Sequence, residues 1–232
     1  MPVRSIAMRR LQEWDAGGMV PRRPCDPFSC YSHLLGVLLS IGGLVALVIL
    51  AQGEPWRVLS FSIYGASLIL LYSASTVYHW AARSSRRKDV LKRLDHAAIF
   101  VLIAGTYTPV CLITLRGKWG WGVGGVVWGL AALGVAMKLS FPHLSRWMTT
   151  ALYLGMGWIA VVAVAPLVRS LSIGGLMWLV AGGVAYSLGA IIYATQRPDP
   201  FPGRFGFHEI FHLFVLGGSA AHFVLMAGYV LP

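Results

Sequence analysis

Apolar residues fall into seven runs along this chain, and short polar segments separate the runs. Each run is long enough to cross a bilayer as an α-helix, for which about 20 apolar residues are needed. The runs cover roughly residues 30–51, 57–80, 95–115, 119–138, 147–168, 173–195 and 207–231. The pattern predicts an all-α fold, a bundle of seven transmembrane helices in residues 29–232, and a multi-pass protein of the cell membrane.

The composition excludes a soluble domain, because 57% of the residues are hydrophobic and only 12% are charged. A chain of this kind has too little polar surface to remain in water. Residues 1–28 are rich in arginine and proline, and they lack the apolar stretch of a signal peptide. We predict that they form a basic cytoplasmic tail.

Lysine and arginine are unevenly divided between the two sides of the predicted bundle. With seven spans, 15 of the 19 fall on the side of the N-terminus. Because these residues accumulate on the cytoplasmic side of membranes, the N-terminus is predicted to be cytoplasmic and Pro232 to lie outside. Topology and contact with anionic headgroups then account for the net charge of +11, and no nucleic-acid partner is expected. Cys25, Cys30 and Cys111 imply no disulfide framework.

Two histidines open the last apolar run. His208 and His212 are separated by one helical turn, so they lie on the same face of a helix, where one metal ion can bind both. Ionisable side chains in membrane helices are costly, and they usually face the bundle interior and serve a function. The pair is therefore a candidate metal site.

Further polar residues are predicted to lie at the level of this pair. The second run ends with Ser75 and His79, and the third begins with Asp95. The span count brings the end of the second run and the starts of the third and seventh to the cytoplasmic side, so these residues and the histidine pair share one depth. Three imidazoles with an open fourth position make a catalytic type of zinc site, in which the metal lowers the pKa of a bound water to about 7.

Simpler roles for several polar residues stay open. Capping alone can explain Asp95, since the helix dipole favours an acid in a first turn. His96 neighbours it in sequence, but on a helix its side chain points about 100° away from that of Asp95. His33 is either part of the site entrance or a packing residue. Glu209 is either a helix N-terminal acid or a support for the metal, and His222 either lines a cavity or joins two helices.

The remaining runs look like a scaffold. Glycine recurs in the fourth to sixth runs, and Pro109 interrupts the third. Small residues let membrane helices approach closely, and a proline removes a helical hydrogen bond and kinks the helix. We expect the glycines to lie at helix contacts and Pro109 to shape a cavity.

The combined motifs resemble those of bacterial haemolysin III proteins. This group belongs with the progestin and adiponectin receptors in a wider superfamily of seven-span proteins proposed to be metal-dependent hydrolases. The resemblance covers about residues 28–232, and the family's usual upstream acid is represented at best by Asp26. The matching segments are Cys30-Tyr31-Ser32-His33-Leu34-Leu35-Gly36, Ser75-Thr76-Val77-Tyr78-His79, Asp95 and Phe207-His208-Glu209-Ile210-Phe211-His212.

The resemblance implies a zinc ion bound by His79, His208 and His212, with Asp95 and Ser75 near the metal-bound water. It also implies an all-α seven-helix fold with a cytoplasmic N-terminus. The receptor relatives are associated with hydrolysis of the ceramide amide bond. The bacterial members are named for cytolysis and are tied to membrane-lipid homeostasis.

Three functions follow as hypotheses. The first is a membrane-embedded zinc amidohydrolase of a lipid whose tail lies in the bundle, with Asp95 as the proton acceptor and Ser75 as an orienting group. The second is a non-catalytic sensor, in which zinc fastens helices together and a membrane lipid shifts their packing. The third, a pore-forming cytolysin, is the weakest, because the charge-poor spans offer no conduction path. Turnover of a lipid panel with and without zinc separates the first two.

Overall fold

The computed structural model describes residues 26–81, 86–141, 144–202 and 205–231. Within these ranges the chain forms seven helices that are long and apolar enough to cross a membrane, and it has no strand. The predicted all-α, seven-helix architecture is therefore confirmed. Most of the predicted tail, Cys25 and Pro232 lie outside the described residues. Helix α1 begins at Pro27, slightly before the predicted span.

The seven helices follow the order of the apolar runs, and three of them are not α-helical throughout. Four are regular: α1 (Pro27–Leu50), α2 (Pro55–Trp80), α4 (Gly117–Ser140) and α6 (Ile173–Thr195). Helix α3 covers Arg86–Pro109 and continues as a π-helix over Val110–Leu115. Helix α5 comprises Arg146–Gly157, a 3-10 segment over Trp158–Ala163, and Val164–Ser170. Helix α7 covers Phe207–Leu225, followed by π-helical Met226–Val230.

One end of the bundle collects the chain segments that matter for the site. Helices α1, α3, α5 and α7 begin there, and α2, α4 and α6 end there. We call this end the basic face. Its described cations include Lys88, Lys92, Arg93, Lys138 and Arg146.

The start of α3 differs from the prediction. The predicted third span begins at residue 95, but the helix already starts at Arg86. The charged residues extend the helix beyond the apolar run, and Asp89 is the acid in its first turn, where the helix dipole stabilises it. Asp95 consequently lies in the third turn, so capping does not account for this carboxylate.

The interior of the bundle is built from large aromatic and aliphatic side chains. Phe61, Tyr64, Tyr72 and Phe100 are among the largest fully buried ones. The Tyr72 hydroxyl donates a hydrogen bond of 2.7 Å to Ser219, and the Tyr186 hydroxyl lies 2.8 Å from the same oxygen. Two tyrosines thereby join α2 and α6 to α7 in the middle of the bundle. Leucine, isoleucine and valine cover much of the outer surface, as a lipid-facing surface requires.

The glycine prediction is only partly confirmed. A Cβ atom at Gly134 would collide with the Phe100 ring, and one at Gly182 would collide with His222, so both positions need glycine for close packing. By contrast, six other glycines in the predicted fourth to sixth spans have open space where a Cβ atom would lie, because they face outwards or line a cavity. These are Gly122, Gly125, Gly129, Gly155, Gly157 and Gly183. At Pro109 the α-helical part of α3 ends, consistent with the missing N–H of proline.

Candidate metal centre

Three histidines converge at the basic face. His79 lies in the last turn of α2, while His208 and His212 lie in the first two turns of α7. One nitrogen from each ring lies within 4.8 Å of the others, and the Nε2 atoms of His79 and His208 are 3.3 Å apart. His79 and His212 are buried and His208 is half-buried. This group can hold a metal ion.

Asp26 fixes the orientation of His79. The Asp26 Oδ2 atom lies 3.1 Å from Nδ1 of His79, and Oδ1 accepts a hydrogen bond from the Ser29 backbone N–H as the N-cap of α1. Partial burial raises the pKa of the Asp26 carboxyl, but hydrogen bonds from His79 and Ser29 outweigh burial and lower this pKa to about 2. The carboxylate therefore accepts a hydrogen bond from Nδ1–H of His79, which leaves Nε2 of His79 free to bind a metal.

The donor set suits zinc. Two imidazole nitrogens bound to one tetrahedral zinc, each about 2.0–2.1 Å from it, lie about 3.3 Å apart, which matches the spacing of His79 and His208. Nδ1 of His212 is buried without a hydrogen-bond partner among the described residues. Neutral imidazoles are ligands that zinc and other late transition metals take readily, so the residues present fit the implied ion.

Asp95 and Ser75 lie beside this group and not within it. Both line an apolar cavity of about 140 Å³, together with His208 and His212. Asp95 is only 8% exposed, and Ser75 faces its carboxylate. Asp95 does not belong to the group whose ligand atoms converge within 4.8 Å. The arrangement brings a carboxylate and a hydroxyl to an apolar cavity that two of the three histidines also line.

The other histidines have separate places. His96 is not part of the converging group, and its Nε2 atom lies 3.4 Å from the Tyr193 hydroxyl. His33 is buried and stacks on His212 with 3.7 Å between ring centroids. His222 lines the far end of the cavity, and its Nε2 atom lies 3.3 Å from the Leu179 carbonyl on α6. It therefore both lines the cavity and joins two helices, the two roles predicted as alternatives.

Glu209 has a structural role at the start of α7. Its Oε2 atom accepts a hydrogen bond of 2.7 Å from the backbone N–H of Gly206. This bond satisfies a donor at the helix N-terminus. The carboxylate is thereby engaged in capping α7, not in supporting a metal ligand.

A second cavity, of about 760 Å³, opens at the basic face. We call it the vestibule. It is lined by polar residues that include Asp26, His79 and Lys138. His96, Tyr193 and His208 line both the vestibule and the apolar cavity. The candidate metal centre therefore stands where a polar space meets an apolar one.

Sequence reasoning did not find the contact between Asp26 and His79. The segment Asp26-Pro27 before an apolar run indicates a helix start, with an N-cap acid and a proline in the first turn. That local signal places Asp26 at the end of α1 but says nothing of a partner on α2. The vestibule was missed for the same reason, since its wall is assembled from several helices and their connections.

Most of the chain matches a known protein family and individual known proteins. Residues 23–223 match the family described as Haemolysin-III related. The chain is 44% identical over 200 residues to the hemolysin-3 homolog of Bacillus subtilis (strain 168), which covers 85% of this chain and 91% of that protein. It is 42% identical over 203 residues to hemolysin-3 of Bacillus cereus, with coverage of 87% and 90%. The monocyte to macrophage differentiation factor of Homo sapiens is 26% identical over 209 residues, with coverage of 87% and 83%. The resemblance inferred from the motifs is confirmed.

Proposed function

This chain belongs to the haemolysin III family, and we propose that it is a membrane-embedded, zinc-dependent hydrolase of a lipid amide or related lipid, linked to membrane-lipid homeostasis. One observation carries the proposal. The three converging histidines stand at the mouth of an apolar cavity that also contains the buried carboxylate of Asp95. A buried acid beside a metal-type donor set, in contact with a space for an acyl chain, is the arrangement that hydrolysis of a lipid requires.

His79, His208 and His212 would hold the zinc, and Asp26 would keep His79 in the tautomer that binds it. When bound, zinc supplies Lewis acidity and a water that is acidic enough to act as a nucleophile near neutral pH. Three protein ligands leave a fourth position for water or substrate, as catalytic zinc sites require.

The remaining steps belong to the chain itself. Asp95 accepts a proton from the attacking water while the water oxygen bonds to the scissile carbonyl carbon. Asp95 then gives this proton to the leaving nitrogen as the carbon–nitrogen bond breaks, so the acid is regenerated as a carboxylate. Ser75, facing Asp95, orients the carboxylate or the water. The apolar cavity holds the acyl chain, and its walls exclude bulk water.

Replacing Asp95 tests the catalytic role. The Asp95→Asn variant keeps the size of the side chain but removes the proton acceptor, so we expect zinc content and fold to be retained and turnover to fall by about 10²-fold or more. Hydrolysis is measured on ceramides, other lipid amides and lipid esters, with and without zinc. Glu54→Gln is the control, because it likewise replaces a carboxylate by an amide of the same size, at an exposed position at the other end of the bundle, and it should keep wild-type turnover.

The metal ligands are tested separately by zinc content. Alanine variants of His79, His208 and His212 should each lose zinc, whereas His96→Ala should keep it. Retention by His79→Ala with loss by His96→Ala would refute the ligand assignment. If the wild type is fully loaded with zinc and hydrolyses none of these lipids, the enzyme proposal fails, and a non-catalytic sensor in which a metal fastens α2 to α7 replaces it.

A further inference from the structure

The vestibule carries an excess of positive charge that the described residues do not neutralise. Its lining includes two acids, Asp26 and Asp89, and of these Asp26 is engaged with His79. Among the described residues the only ion pair is the one between Asp26 and His79. No described carboxylate thus lies within 4 Å of the lining cations, which are Lys88, Lys92, Arg93, Lys138 and Arg146.

Lys138 is the unusual member of this set. It is only 6% exposed, and it has no hydrogen-bond partner among the described residues, yet it lines the vestibule. Lys92 is near enough to add repulsion between like charges. The Lys138 ammonium group faces the polar space of the vestibule with no anionic partner among the described residues. The preference for positive charge on the cytoplasmic side explains exposed lysines but gives no reason to bury one against a polar cavity.

A further cation extends the anion-binding character of this wall. Arg146 also lines the vestibule, and its guanidinium lies 5.7 Å from the centroid of the Tyr193 ring. An arginine held against an aromatic ring is positioned to bind a phosphate through two hydrogen bonds, while a lysine contributes a point charge. An anion with several oxygens would neutralise these cations together.

The vestibule and the apolar cavity together indicate which kind of anion would bind to these cations. The vestibule and the apolar cavity adjoin each other, because His96, Tyr193 and His208 line both. A molecule that fills both must have a negatively charged head and an apolar tail. A free phosphate would satisfy the cations but would leave the apolar cavity empty. A neutral lipid would fill the cavity but would leave Lys138 unpaired.

We propose that the vestibule binds the phosphate group of an anionic lipid whose acyl chain lies in the apolar cavity. Lys138, Lys92 and Arg146 contact the phosphate, and the junction between head and tail lies beside the three histidines. This inference concerns binding and does not require turnover, so it goes beyond the proposed function and can fail or succeed independently of it.

The test compares three probes on the purified full-length protein in neutral detergent. These are phosphatidic acid, the diacylglycerol with the same acyl chains, and inorganic phosphate. Dissociation constants are measured by native mass spectrometry and calorimetry. We expect phosphatidic acid to bind at least about 10-fold more tightly than diacylglycerol, since hydrogen bonds to charged groups contribute an effect of this size. Inorganic phosphate should bind more weakly than phosphatidic acid.

Variants test whether residues of the vestibule cause the difference in affinity between phosphatidic acid and diacylglycerol. Lys138→Gln should weaken the binding of phosphatidic acid by about 10-fold and leave diacylglycerol unchanged, and Lys138→Arg should restore it. Lys92→Gln makes the same change at an exposed position, where it does not threaten folding, and should also weaken binding. Lys118→Gln is the matched control, because Lys118 is exposed near the start of α4 at the other end of the bundle.

Three results would overturn the proposal. One is equal binding of phosphatidic acid and diacylglycerol by the wild type. Another is an equal effect of Lys92→Gln and Lys118→Gln. The third is that replacing Lys138 weakens the binding of inorganic phosphate but not the binding of phosphatidic acid. This result would make the vestibule a site for a free anion. The dissociation constants are measured without turnover, so these results are separate from any outcome of the hydrolysis assay.

Discussion

His79 is held by a carboxylate on one side and faces a second histidine on the other. Asp26 lies 3.1 Å from Nδ1, and Nε2 lies 3.3 Å from Nε2 of His208. A carboxylate that accepts a hydrogen bond from Nδ1–H fixes the tautomer of an imidazole and makes its other nitrogen a stronger ligand. The same carboxylate caps α1, so one side chain joins the first helix to the candidate metal centre.

Replacement of Asp26 by asparagine should separate these two roles. Asparagine is as good an N-cap as aspartate, so the fold should be retained, but the neutral amide no longer supports His79 as a charged acceptor. We expect zinc affinity to fall by about 10- to 100-fold, measured by competition with a chelator of known affinity. Unchanged zinc affinity in Asp26→Asn, with correct folding, would show that the carboxylate serves only as a cap.

At the scale of the helices, close contact between α1 and α2 depends on small residues, and Gly36 is one of them. A Cβ atom at Gly36 would lie 2.7 Å from Cδ1 of Tyr72, a distance at which the ring must move. Tyr72 in turn donates its hydroxyl proton to Ser219 on α7. The packing of α1 against α2 therefore also supports the hydrogen bond that joins α2 to α7, below the three histidines.

Valine substitutions at two glycines of α1 test this packing. Gly36→Val should destabilise the bundle by about 1–3 kcal/mol through overpacking and lower the thermal midpoint by several degrees. Gly42→Val makes the same change in helix propensity on the same helix, but no atom lies within 4 Å of a Cβ there, so its effect should be much smaller. Equal shifts of the two midpoints in detergent would refute the role of Gly36.

At the scale of the whole molecule, charge and apolar surface divide the bundle into zones. The basic face gathers cations around the vestibule, and the outer surfaces of the helices carry apolar side chains. The candidate metal centre lies at the boundary between the polar vestibule and the apolar cavity. Its depth suits a reaction or a binding event at the junction of lipid head and tail.

The orientation of the bundle is a prediction from charge that reporter fusions can test. We expect the N-terminus and the basic face to be cytoplasmic, because lysine and arginine are retained on that side. A reporter that fluoresces only in the cytoplasm should be bright at the N-terminus and dark after Pro232. A reporter active only outside the cell membrane should give the opposite result. A bright C-terminal fusion would reverse the orientation and place the vestibule outside.

Several features of the site followed from the sequence because they depend on local rules and on counting. The length of each apolar run determines whether it spans a bilayer, and the spacing of His208 and His212 places them on one helix face. With seven spans, the parity of the count brings His79 to the same end. The start of α3 was placed too late, because a charged segment can continue a helix into water without changing the apolar pattern.

The sequence by itself determined the class of the fold, the order of the spans and the depth of the site residues, since hydrophobic burial in a bilayer depends on composition along the chain. Only the tertiary structure decided which side chains touch. The contact of Asp26 with His79 and the stacking of His33 on His212 each bring together residues that are distant in sequence, and Lys138 becomes buried only where several helices form the vestibule wall. Such contacts depend on the rotation and lateral packing of every helix, and no local pattern encodes these.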